Sequence, residues 1–74
     1  MTRVMGTNEI DPDGIIVTLP LTLIEPGMSV FVPCVNVTEA MKQITRATRA
    51  NDIPIRQKIV VEDHILGVRI WRTA

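Results

Sequence analysis

One helix with both ends marked constrains this chain more than any other feature, because a helix so short and one-sided is stable only against a sheet. From Val37 to Ala50 the apolar residues Val37, Ala40, Met41, Ile44 and Ala47, with Thr48, recur at intervals of three and four. A helix gathers such positions onto one stripe. Asn36 stands as the N-cap, and Glu39 three residues on completes a capping box, with Val35 and Ala40 as its hydrophobic staple. At the far end Asn51 suits the left-handed position after the last turn, and Pro54 prevents continuation. Lys42, Arg46 and Arg49 lie opposite the stripe, within roughly 60° of one another at ~100° per residue. They form a basic ridge that reads either as an ordinary solvated helix face or as a partner-binding surface.

Strands flank the helix. Residues 15–19 are short and β-branched between Gly14 and Pro20, which suggests an edge strand, and Ser29–Pro33 suggests a second that Pro33 ends. Between them, residues 21–24 are apolar and precede Pro26-Gly27, a pair that favours a type II turn; their leucines are expected to plug the core. Ile55–Glu62 and Ile65–Arg72 alternate in polarity and are expected to pair as an antiparallel hairpin around Asp63-His64. If the apolar sides of both strands meet the helix, Arg56, Lys58, Arg69 and Trp71 share the other face. The expected fold is α+β: a small antiparallel sheet of three or four strands with one amphipathic helix packed on one face, in the order β-β-α-β-β. Residues 1–14 mix Gly6, Asn8, Asp11, Pro12, Asp13 and Gly14 with scattered apolar side chains and are expected to be a flexible arm. Val4 and Met5 could dock that arm on a partner. Residues 15–74 then form the single domain.

With 74 residues there is room for one modest core, and a homodimer or a protein partner would add burial. The expectation is a monomer or weak homodimer. Net charge is zero, which argues against a surface basic all round. Its distribution is uneven: residues 1–37 carry one basic against four acidic side chains, and residues 38–74 carry seven basic against four acidic. The second half is therefore suited to an acidic partner, whether protein or nucleic acid.

Catalytic machinery is not evident. The single cysteine, Cys34, excludes an internal disulfide and suggests a reducing compartment, while the opening residues lack a signal-peptide core and no apolar run is long enough to span a membrane. The expected location is the host cytoplasm, with no membrane association. His64, the only histidine, adjoins Asp63 in a turn, and its spacing from Cys34 and the carboxylates matches no metal motif. No serine or cysteine stands near a histidine and no glycine-rich phosphate loop occurs, so neither an enzyme nor a cofactor is expected. Trp71, between Arg69 and Arg72, reads either as a core plug or as an anchor flanked by cations.

Two patches carry a resemblance. Pro20-Leu21 with Pro26-Gly27-Met28-Ser29-Val30-Phe31-Val32-Pro33 is similar to the opening of a group of small phage proteins, and Gly67-Val68-Arg69-Ile70-Trp71-Arg72 resembles their closing motif. The chain departs from that pattern at Val30, at the Asp52-Ile53-Pro54 break and in its longer hairpin through Asp63 and His64. Length and charge pattern also resemble the small regulators that lytic phages aim at bacterial RNA polymerase, among them the inhibitor and antiterminator of a Xanthomonas phage. The resemblance implies a phage-encoded, non-catalytic regulator that binds host RNA polymerase and inhibits initiation, causes antitermination, or both. The candidate contacts are Val4, Met5, Lys42, Arg46, Arg49, Arg56, Lys58, Arg69, Trp71 and Arg72. The alternative is a nucleic-acid-binding regulator that meets phosphates through the helix ridge or the sheet face.

Overall fold

The computed structural model describes residues 6–74, so Val4 and Met5 lie outside the described residues. In chain order its elements are β1 (Glu9–Ile10), β2 (Val17–Thr18), β3 (Ser29–Pro33), α1 (Val37–Ala50), β4 (Ile55–Glu62) and β5 (Ile65–Arg72). The fold is α+β with two antiparallel sheets, β1-β2 and β3-β5-β4. Asp63 and His64 both take left-handed backbone, φ 49° and 65°. A two-residue type I′ turn requires that conformation at both positions, and its twist matches the strands it joins. The β4-β5 ribbon follows directly from it.

The helix covers one face of the larger sheet. Ala40, Ile44 and Ala47 are fully buried, as are Val68 and Ile70 in the central strand, and Val32 of β3 closes the same layer. Thr48 is buried with them and donates its hydroxyl to the Ile44 carbonyl at 2.9 Å, so its polarity costs little. Leu21 fills the open end of this core from the loop before β3 as expected, with Leu19 and Ile24 beside it, whereas Leu23, expected to do the same, is 74% exposed. Gly27 at φ 87° and a bond from Met28 N to the Glu25 carbonyl at 2.9 Å make the expected turn.

Residues 6–14 depart from the expected flexible arm. Glu9–Ile10 pairs with Val17–Thr18, and Ile10 is completely buried, so the folded unit begins before residue 15 and the order becomes β-β-β-α-β-β. The helix holds this hairpin by its polar side chains. Arg46 Nη2 donates to the Glu9 carbonyl at 3.1 Å, Asn51 Nδ2 to the Thr7 carbonyl at 3.2 Å, and Asp11 N donates to Gln43 Oε1 at 2.6 Å.

The helix ends also differ from expectation in detail. Glu39 N donates to Asn36 Oδ1 at 3.2 Å, but the box is not reciprocal, because Asn36 N and Val35 N both donate to the Asp13 carboxylate at 2.9 Å. The Glu39 side chain instead accepts from Gln43 Nε2. Val35 is 81% exposed, so there is no staple. At the other end Asp52, φ 54°, takes the left-handed position expected of Asn51, whose φ is −106°.

Candidate functional site

Strand register decides which side chains share the uncovered face of the larger sheet. Residues directly opposite in an antiparallel pair point to the same side. Ser29, Trp71 and Arg56 therefore form one row across β3, β5 and β4; Phe31, Arg69 and Lys58 form the next; Pro33, Gly67 and Val60 form the third. Four of the expected contact residues, Arg56, Lys58, Arg69 and Trp71, come together here as the alternation suggests. No described element packs over them.

Arg69 occupies the centre and is already committed. Its Nε and Nη2 donate to the two carboxylate oxygens of Glu62, and its Nη1 donates to Ser29 Oγ at 2.8 Å. Its guanidinium carbon lies 5.7 Å from the centroid of the Phe31 ring. The hydrogen bonds from Arg69 hold the Glu62 carboxyl below its ordinary range, and Glu62 in turn raises the guanidinium above its own. Arg69 thus braces three strands with its charge matched.

Arg56 and Lys58 are exposed and take part in no ion pair among the described residues. With Gln57 and the half-buried Trp71 they line a depression of about 400 Å³. Trp71 is half-buried and lines the depression, so it is neither a core plug nor a fully exposed anchor. Two unmatched cations beside an accessible indole can hold an anionic or flat group without covalent chemistry.

The remaining candidates lie elsewhere. Lys42 and Arg49 are exposed on the outer side of the helix, across the sheet from the open face, and Arg46 beside them is used to hold the Glu9 carbonyl. Arg72 falls on the helix side of the sheet, where its Nη1 donates to the Ile24 carbonyl and its Nε to the Ala74 carbonyl, both at 2.7 Å. It anchors the loop before β3 and does not join the open face.

Sequence reasoning overlooked Glu62, Ser29 and Phe31. Their strand parity places all three with Arg69, and that was the available signal. It also placed Ile59, Val61 and Leu66 under the helix, yet these are 45%, 66% and 38% exposed. A helix of fourteen residues at ~1.5 Å per residue is shorter than an eight-residue strand at ~3.4 Å per residue. It sits over the end near Gln57, whose Nε2 donates to Thr45 Oγ1 at 2.8 Å, and leaves the hairpin tip bare.

Cys34 and His64 line one surface depression together with Asp13. Cys34 is buried and hydrogen-bonded to the Val32 carbonyl; burial, with the nearby Asp13 charge, pushes its thiol up, while His64 is exposed in the turn. Asp13 is held below the usual carboxylate range by the N–H groups of Asn36 and Val35. Among the described residues no three histidine, cysteine or carboxylate side chains cluster as metal ligands, and no helix is long and apolar enough to cross a membrane.

The fold and the face define a small α+β protein with one helix on a three-stranded antiparallel sheet and an open surface that combines cations with aromatic rings. No protein-family model, curated protein or solved structure matches the chain. Five of the six residues 67–72 have a local structural role. A Cβ on Gly67 would lie 2.4 Å from the Val32 carbonyl oxygen and 2.7 Å from Phe31 Cζ; Val68 and Ile70 are core, Arg69 is the brace, Trp71 faces outward and Arg72 anchors a loop.

Proposed function

We propose that this chain is a phage-encoded, non-catalytic regulator that binds bacterial RNA polymerase in the host cytoplasm through the open face of its sheet and thereby inhibits or redirects transcription. What supports a binding role is the pair of unmatched cations, Arg56 and Lys58, beside the half-buried Trp71 on a face that no described element covers. The resemblance of residues 20–21, 26–33 and 67–72 to small phage proteins supports the phage origin, and the resemblance of length and charge pattern to phage regulators of bacterial RNA polymerase supports the choice of partner. Trp71 supplies apolar contact area at low entropic cost, and the cations select an acidic surface around it. Arg69 and Glu62 keep the platform rigid.

A second reading has the same face contacting nucleic acid, for which Arg56 and Lys58 beside Trp71 are also suited. Salt dependence and mutation separate the two. Purified polymerase should bind the protein at moderate salt after nuclease treatment, and Trp71→Ala should weaken that binding more than either cation removed singly. If only nucleic acid is bound, each phosphate contact should add about 0.9 to the slope of log affinity against log salt, and the polymerase reading fails.

A further inference from the structure

The outer edge of β4 carries an unused hydrogen-bonding ladder, and we infer that a second copy of this chain fills it, joining two three-stranded sheets into one of six strands. β4 is an edge strand in the order β3-β5-β4. Cys34 N donates to the Leu66 carbonyl, Arg72 N to the Met28 carbonyl, and Gly27 N to the Arg72 carbonyl, so even-numbered residues of β5 bond to β3 and odd-numbered ones to β4. The register then turns the even-numbered residues of β4 inward and leaves the N–H and C=O groups of Ile55, Gln57, Ile59 and Val61 aimed outward. No described strand pairs with them, and Ile59 and Val61 beside them are exposed.

The sequence of this edge is self-complementary about a two-fold axis at Ile59. Antiparallel pairing there sets Ile59 opposite Ile59 of the second copy, Gln57 opposite Val61, Lys58 opposite Val60 and Arg56 opposite Glu62. The outward-facing residues exchange their bonds, Ile59 meets Ile59 on the helix side with Gln57 against Val61 to either side of it, and Arg56 meets Glu62 on the open side. Glu62 can accept from Arg56 while bound by Arg69, because a carboxylate offers about four acceptor sites. A shift of two residues one way sets Lys58 against Lys58. The same shift the other way shortens the ladder to residues 58–62 of the strand. Arg56 and Lys58 guard the edge against strands that lack a matching acid, so the charge pattern favours a second copy over a foreign strand.

Sedimentation of the full chain over a concentration series should show a reversible monomer–dimer equilibrium. Ile59→Cys should form a covalent dimer on mild oxidation, since residues opposite in a hydrogen-bonded pair have Cα atoms about 5.5 Å apart, within disulfide range. Val61→Cys, which faces Gln57 of the second copy, should cross-link far less, and the parent chain with its buried Cys34 should not cross-link at all. Arg56→Glu should weaken dimerisation about tenfold without changing the circular dichroism, because it sets two like-charged pairs across the seam. A monomer at every concentration would overturn the inference and leave the edge to a foreign strand. Preferential cross-linking at Val61 would overturn the proposed register.

Discussion

The two faces of the three-stranded sheet are made from alternate residues of the same strands, yet they do different work. On the helix side Val32, Val68 and Ile70 vanish beneath Ala40, Ile44 and Ala47. On the open side Arg56, Lys58, Arg69 and Trp71 meet solvent around one ion pair. Stability is concentrated on the first face, and the binding proposed above would fall to the second, so mutations should separate the two properties. The period of two in a strand makes this separation possible: one residue's shift in register would exchange the faces entirely.

The sharpest way to break that division is to empty the buried side. Ile70→Ala or Ile44→Ala should destabilise the fold by about 2–5 kcal/mol in urea titrations, since both side chains are fully enclosed. For a domain of this size that is much of the total stability. Gly67→Ala comes next, at about 1–3 kcal/mol, because its new methyl group must displace the β3 backbone and Phe31. Asn36→Ala should cost about 1 kcal/mol through loss of the bond to Glu39 N.

Acid offers a subtler probe of the open side. Glu62 and Asp13 both have folded pKa values depressed below their ordinary 4.5 and 3.8, the first chiefly by Arg69 and the second chiefly by Asn36 N–H. A depressed carboxyl stabilises the fold above its unfolded pKa, and that contribution is lost as pH falls through the folded value. Melting temperature should therefore drop as pH is lowered below about 4.5, and Glu62→Gln should flatten part of the drop. Arg56→Glu with Lys58→Glu should change the stability of the monomer by no more than about 0.5 kcal/mol, which a urea titration at a concentration too low for dimers would check, because neither residue has an ion-pair partner among the described residues.

Much of this organisation can be read from the chain alone, and the exceptions share a cause. The helix bounds, the central strands and the sharing of one face by Arg56, Lys58, Arg69 and Trp71 all follow from local periodicity. The hairpin at residues 6–18 does not, because its one fully buried side chain, Ile10, sits among turn formers and its bonds to Arg46, Gln43 and Asn51 span more than thirty positions. Asp13 likewise caps a helix that starts more than twenty residues later, a distance no capping pattern spans. Arg69 reads from sequence as a free cation; only the register with β3 and the tight turn at Asp63-His64 brings Ser29 and Glu62 to it. Arg72 is diverted in the same way by Ile24.

The most direct test of the open face as the binding surface is a comparison of two charge reversals against purified bacterial RNA polymerase at moderate salt. One variant carries Arg56→Glu and Lys58→Glu, the other Lys42→Glu and Arg49→Glu, and thermal melts confirm that both remain folded. The face variant should bind at least about tenfold more weakly, while the helix variant stays near the parent value. Loss of binding in the helix variant with the face variant unaffected would contradict the account and move the site to the outer side of α1.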